Sequence, residues 1–252
     1  MDSQKHKWKK FTQLFLPICK MNNQITVCLT SCSRFDLLEK TVKSLIANWD
    51  GPVPKEFLIY EDSANNVPVP IAYEIQAMFQ DKVTVKVMSK YDKIGQIKAI
   101  DLLYSQVETP YIFHCEDDWE FYRPGFIQKS LSILEENPKI LQVWLRSPND
   151  RNGHRCVGVP KMTKDRTRYQ MLSAEHMNKW SGFSLNPGLR RLSDYQNLFP
   201  NGYSGVTTFD PKNPLKSEIE IGQVYKKHGF RAATLLEGYV RHIGGNGRHV
   251  NG

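Results

Sequence analysis

Three times in its first half the chain passes from a short β-type run into a segment with helical spacing, and a fourth β-type run follows. That alternation narrows the architecture to a mainly parallel central sheet flanked by helices, an α/β fold. The first run is Ile25–Thr30, followed by a turn at Ser31-Cys-Ser-Arg34. Leu37, Leu38, Thr41, Val42, Leu45, Ile46 and Trp49 then fall on one helical stripe, with Ser33 and Asp36 as a capping signal and Gly51-Pro-Val-Pro54 as the stop. Phe57–Tyr60 is the second run. The spacing predicts a helix over Ile71–Phe79, a strand over Val83–Met88, a helix over about Ile94–Val107 and a strand from Tyr111. Open sheets of this kind bind ligands outside the carboxyl ends of their strands.

Two of those strand ends carry acid. Phe57–Tyr60 runs into Glu61, Asp62 and Ser63, and Tyr111-Ile-Phe-His-Cys-Glu-Asp-Asp-Trp-Glu-Phe121 ends its apolar run in three consecutive carboxylates. A strand period of two sets Glu116 and Asp118 on one face and Asp117 on the other. Paired carboxylates suit a hard divalent cation, Mn2+ or Mg2+, whose shell the phosphates of a bound nucleotide complete. A solvated acidic turn is the alternative reading of the triplet.

At 252 residues, 40% of them hydrophobic, the chain can bury the core of one domain. A net charge of +8 favours anionic partners without choosing among nucleic acid, membrane and phosphorylated small molecules. Cys19, Cys28, Cys32, Cys115 and Cys156 form no C-x-x-C pair, which excludes a zinc knuckle and a disulfide framework and points to free thiols in a reducing, cytoplasmic setting. No apolar run reaches the roughly 18 residues of a membrane span. Residues 1–24 form a basic extension that reads as a floppy terminus, with peripheral contact to an anionic membrane as its alternative. Residues 246–252 read as a flexible tail. In the second half, Phe126–Leu134 is helical in spacing and Ile140–Leu145 is strand-like, whereas the basic stretch Arg146–Arg168 reads as an exposed loop.

From about Ile25 to Gly245 the chain resembles nucleotide-sugar-dependent glycosyltransferases of the GT-A fold, family 2 type. The resemblance rests on Ile25-Thr-Val-Cys-Leu-Thr-Ser-Cys-Ser-Arg34 with its following helix, on Glu61-Asp-Ser63, on Glu116-Asp-Asp118 and on Ser217-Glu-Ile-Glu-Ile-Gly222 followed by Gly229-Phe-Arg231. It implies a single GT-A domain over 25–245, with a nucleotide-binding half at 25–121 and an acceptor half at 122–245. It further implies that Thr30, Ser31 and Arg34 line the base and ribose of the donor. Glu61, Gly95, Gln96, Glu116 and Asp117 would also border a UDP- or GDP-linked sugar. Glu116-Asp-Asp118 corresponds to the family's D-x-D metal motif, with Glu at its first place. Asp118 becomes the direct metal ligand, Glu116 touches ribose or the metal shell, and His242 of Tyr239-Val-Arg-His-Ile-Gly244 becomes the last ligand. A divalent ion is chemically apt, because a departing nucleoside diphosphate gathers negative charge that a Lewis acid offsets.

Matching the glycines places Glu218 on the general base of an inverting transfer to a glycan or other hydroxyl acceptor, where the family usually has Asp. Glu220 is the other candidate, although Ser217-x-x-Glu220 also spells a capping box. Trp180 and Asn186 of Trp180-Ser-Gly-Phe-Ser-Leu-Asn-Pro-Gly188 are expected to line the sugar or acceptor pocket, since aromatic faces suit sugar rings. Two other functions stay open. A sugar-phosphate nucleotidyltransferase would use the same strand ends, but Thr30-Ser-Cys-Ser-Arg34 lacks its Gly-rich phosphate loop. A basic nucleic-acid-binding protein would fit the charge, yet no familiar binding module is present, so no nucleic-acid partner is expected.

Overall fold

The computed structural model describes residues 24–245, apart from 64–68, 81, 91, 152, 177–179, 209, 211 and 214. Most of the basic extension and the tail at 246–252 therefore lie outside the described residues. The central sheet is built from β1 (Ile25–Ser31), β2 (Glu56–Glu61), β3 (Thr84–Ser89), β4 (Tyr111–Glu116) and β9 (Gly188–Arg191), in the order β3-β2-β1-β4-β9. The first four run parallel and β9 runs antiparallel to β4. In register, Thr30 lies beside Tyr60 and Glu116, and Ser31 beside Glu61. The acids expected at strand ends thus share one edge of one sheet.

Helices α1 (Phe35–Ala47), α2 (Val69–Met78), α3 (Gln96–Tyr104) and α4 (Phe126–Glu136) connect or follow these strands. Both faces of the sheet are covered, as a parallel sheet requires. Val27, Leu29, Phe57, Ile59 and Phe113 face the core shared with α1, α2 and α4. Cys28, Leu58, Tyr60 and Ile112 face the opposite core, with Ile97, Ile100 and Leu103 of α3.

The second half adds β5 (Trp119–Phe121), β6 (Ile140–Trp144), β7 (Cys156–Met162), β8 (Arg168–Leu172), β10 (Arg231–Leu235) and β11 (Val240–His242), with α5 (Leu192–Leu198) and α6 (Leu215–Lys227). A second sheet has the order β6-β10-β8-β7, and β5 pairs with β11 alone. The stretch expected as a loop over Arg146–Arg168 instead contains β7, which pairs antiparallel with β8. Its strand character is hidden because β7 is an edge strand, exposed along nearly its whole length, so no apolar alternation marks it. Nor does Ser33 cap α1 with its side chain. Ser33 has φ 56° and directs its backbone N–H to Glu61 Oε1 at 2.7 Å, while the helix begins after Arg34 with no side-chain cap.

Candidate active site

Strand β4 ends at Glu116, and Asp117 and Asp118 form a turn into β5. The period-two expectation fails here because the strand stops before the second carboxylate. Helix α1 fixes this turn with one polar row. Thr41 Oγ1 donates to the Asp117 carbonyl at 2.7 Å and accepts from the Trp119 N–H at 3.0 Å. Ser44 Oγ accepts from Phe121 N–H at 3.0 Å, and Asn48 Nδ2 donates to the Phe121 carbonyl at 2.9 Å. Spacings of three, four and seven residues put these side chains on the helix face against β5.

The three acids then go separate ways. Gln96 Nε2 donates to Glu116 Oε1, and Trp119 Nε1 lies 3.3 Å from Glu116 Oε2. Asp117 is fully buried and accepts from Ser31 Oγ at 2.9 Å, Cys32 N–H at 3.3 Å and Arg34 Nε at 3.2 Å. Arg34 also donates to Asp117 Oδ1 and, at 2.8 Å, to Asp118 Oδ2. Arg34 and Ser31, expected to line base and ribose, here hold the acid turn, because two adjoining buried carboxylates draw the nearest cation and hydroxyl donor. Burial pushes the Asp117 carboxyl up to about 6 despite Arg34. Burial and the charge of Asp118 push Glu116 up to about 8. At Asp118 burial also acts upward, but His242 and Arg34 outweigh it and bring the carboxyl below its ordinary range.

His242 reaches Asp118 through the pairing of β11 with β5, which sets His242 opposite Trp119. Its Nε2 lies 3.1 Å from Asp118 Oδ2, and Ile243 N–H donates to the Asp118 carbonyl at 2.8 Å. Gly244 closes over this pair. A Cβ there would meet Asp118 Oδ2 at 2.6 Å and His242 Nε2 at 3.1 Å, so only glycine lets the backbone come this near. Among the described residues no three His, Cys, Asp or Glu side chains converge as a metal cage, and the expected trio of Asp118, Glu116 and His242 is reduced to a pair by the engagement of Glu116 with Gln96 and Trp119. The pair itself fits a divalent ion. A carboxylate oxygen and an imidazole nitrogen 3.1 Å apart have the separation of neighbouring ligands on a six-coordinate ion with bonds of about 2.1 Å.

Along the same edge, Asp62 accepts from Ile94 N–H and Gly95 N–H, each at 2.8 Å, and so sets the entry of α3, where Gly95 has φ 82°. Glu61 is fully buried with Oε2 unpartnered among the described residues, and Tyr60 Oη and Ser63 Oγ are likewise buried without partners there. Thr30 is buried beside Glu116.

Glu218 comes from the first turn of α6. Its Oε1 accepts from Ser184 Oγ at 2.9 Å and from Leu185 N–H at 2.8 Å. Burial raises its carboxyl above the ordinary range, against the pull of those donors and of Arg190 and Arg146. Its charge in turn contributes to the rise of Glu116, so the two acids share one field. Glu220 points elsewhere, accepting from Thr207 Oγ1 at 2.5 Å. It closes no capping box, because α6 already begins at Leu215.

Trp180 is not a pocket wall. It is 1% exposed, donates its indole N–H to the Phe183 carbonyl at 2.6 Å and packs on Trp144, 5.3 Å between centroids. Its neighbours in a Gly-rich turn gave no sign of that enclosure. Asn186 is partly exposed, one residue beyond the Leu185 amide that binds Glu218.

Arg146 and Ser184 were missed. Arg146 is 8% exposed, sits 5.2 Å over the Trp119 ring and pairs with Asp150 at 2.7 Å. Its position just past the carboxyl end of β6 obeys the rule that marked Glu61 and Glu116. Ser184 carries no comparable signal.

No family model and no curated protein matches the chain. Solved structures do. It is similar to S. aureus TarS 1–349 (TM-score 0.55, 14% identity, covering 86% of this chain and 59% of that one). It is similar to the mannosyltransferase PcManGT of Pyrobaculum calidifontis in complex with GDP-Man and Mn2+ (TM-score 0.54, 13% identity, covering 84% and 54%). It is also similar to GalNAc-T7 with UDP, GalNAc and Mn2+ (TM-score 0.58, 12% identity, covering 89% and 44%). The chain has the GT-A fold. It spans less than two thirds of these neighbours, and at such identities the likeness speaks for the GT-A framework alone. Among the described residues no helix is long and apolar enough to cross a membrane.

Proposed function

We propose that this GT-A chain is a divalent-metal-dependent glycosyltransferase that moves a sugar from a nucleoside-diphosphate donor to an acceptor hydroxyl with inversion, using Glu218 as general base. The observation that carries the reading is the meeting of Asp118 with His242, 3.1 Å apart and 124 positions distant in the chain, at the edge that also holds Glu116. TarS has been obtained with UDP-GlcNAc and PcManGT with GDP-Man and Mn2+, which supports a nucleotide-sugar donor and a divalent ion here.

Asp118 and His242 would hold the ion, Mn2+ or Mg2+, which supplies Lewis-acid stabilisation to the departing diphosphate. Arg34 already spans Asp117 and Asp118, and its charge keeps both carboxylates in place before a donor arrives. The unpartnered Glu61 Oε2 offers an acceptor to an N–H of the base. Gln96 and Trp119 hold Glu116, which would touch the ribose of the donor. Glu218 uses Oε1 for Ser184 and Leu185, and no donor among the described residues occupies Oε2, which is left to take the acceptor's hydroxyl proton. Asn186, at the rim of that loop, would meet the acceptor. The free thiols Cys28, Cys32, Cys115 and Cys156 favour a reducing compartment, and we place the protein in the cytoplasm.

Thermal melting with nucleoside diphosphates and their sugars, each with and without Mn2+, tests the reading, because a ligand that binds the folded form raises its melting temperature. A metal-dependent rise with a UDP- or GDP-sugar is expected, together with release of the diphosphate. No response to any nucleotide sugar sinks the proposal, and release of pyrophosphate from a nucleoside triphosphate would mark nucleotidyl transfer instead.

A further inference from the structure

Behind Glu218 stands a cation that the proposed reaction leaves unused. Arg190 of β9 is 3% exposed and pairs with no carboxylate among the described residues. Its Nη1 donates to Tyr104 Oη at 3.0 Å and its Nη2 to the Ser184 carbonyl at 2.5 Å. Its guanidinium lies 5.1 Å over the Phe183 ring, and its Nε is buried without a partner among the described residues. A buried cation lacking a contacting counter-ion is costly, so what its donors hold is informative. One of them, Nη2, holds the residue whose hydroxyl and following amide grip Glu218. The Ser184–Leu185 peptide is thus clamped from one side by Arg190 and grips the carboxylate on the other.

We propose that Arg190 is a positioning residue for Glu218: it fixes the Ser184–Leu185 donors through the Ser184 carbonyl and supplies the buried positive charge that favours the carboxylate form. This rests on the reading of Glu218 as the general base. The charged groups facing Glu218 are Arg190 from β9, Arg146 from the segment after β6, and Glu116 from β4. Arg146 already answers Asp150 at 2.7 Å, whereas Arg190 has no such partner. Without Arg190, burial pushes Glu218 toward its protonated form, which cannot accept a proton.

The test compares Arg190→Met, Arg190→Lys, Ser184→Ala and Glu218→Gln with the parent protein, using whichever UDP- or GDP-sugar stabilises it with Mn2+. The carboxyl of Glu218 is titrated directly by 13C NMR on glutamate-labelled protein, its signal assigned by its loss in Glu218→Gln. Arg190→Met is expected to raise the Glu218 pKa and the acid limb of kcat by about one unit or more, with donor KM within about twofold of the parent. Arg190→Lys keeps the charge and is expected to recover part of that shift. If Arg190→Met does not fold, Arg190→Lys and Ser184→Ala carry the test, each expected to lower kcat without moving donor KM. An unchanged titration and pH profile in the variants that fold, while Glu218→Gln is inactive, overturns the positioning role alone. Full activity of Glu218→Gln overturns the base assignment on which it stands.

Discussion

The two carboxylate centres of the molecule are held in opposite ways. Asp117 and Asp118 are wrapped by a cation, Arg34, and backed by His242, whereas Glu218 rests on neutral donors, a hydroxyl and an amide, with its nearest cations set back from it. In the first, Asp118, which also meets His242, lies below the ordinary carboxylate range while the fully buried Asp117 is raised to about 6, and in the second Glu218 lies above its range. An ion-paired acid is prepared to exchange one cation for another. A desolvated acid held by dipoles is prepared to take a proton, because its charged form is less comfortable. The same residue chemistry is divided into two tasks by surroundings alone.

That division can be broken from either end. The largest effect is expected from Glu218→Gln, which should lower kcat by about 10²–10⁴-fold in a transfer assay while the donor still raises the melting temperature. Asp118→Asn should do the reverse, weakening Mn2+-dependent nucleotide binding in calorimetry by about 100-fold or more. Thr41→Val leaves the Asp117 carbonyl and the Trp119 N–H without their partner and should cost about 1–3 kcal/mol in denaturant unfolding. The pH profile sharpens the contrast further. Glu218 must be ionised to accept a proton and its pKa is raised, so kcat should fall on acidification through a pKa above 4.5, and that limb should vanish in Glu218→Gln. Glu220→Gln should change kcat by no more than about twofold, since its carboxylate accepts from Thr207 and bonds neither carboxylate centre.

How much of this could be read in advance depended on range. Strands β1, β2 and β4 are legible as short apolar runs buried on both faces, and helix α1 by the spacing of its apolar stripe. The acids at 61–62 and 116–118 were placed at one edge by the rule for open parallel sheets. The faces of Glu116 and Asp118 were misread, since the strand stops between them. The sequence gives no hint that Arg34 answers carboxylates 83 and 84 positions away. Nothing local marks Trp180 as core, because the rings that enclose it, Trp144, His154 and His176, come from elsewhere in the chain or carry no apolar pattern. Strand β7 was invisible for the opposite reason, having almost no buried face to leave a pattern.

The sequence by itself determined the layered α/β framework and the delivery of acid to strand ends, because hydrophobic period and turn residues act over a few positions at a time. Only the tertiary structure decided which acids meet which partners. Asp118 found His242 through the pairing of β5 with β11, and Glu218 found Ser184 across a gap of 34 residues. Such encounters are set by how whole elements pack, and the burial that tunes each carboxylate exists only once they have done so.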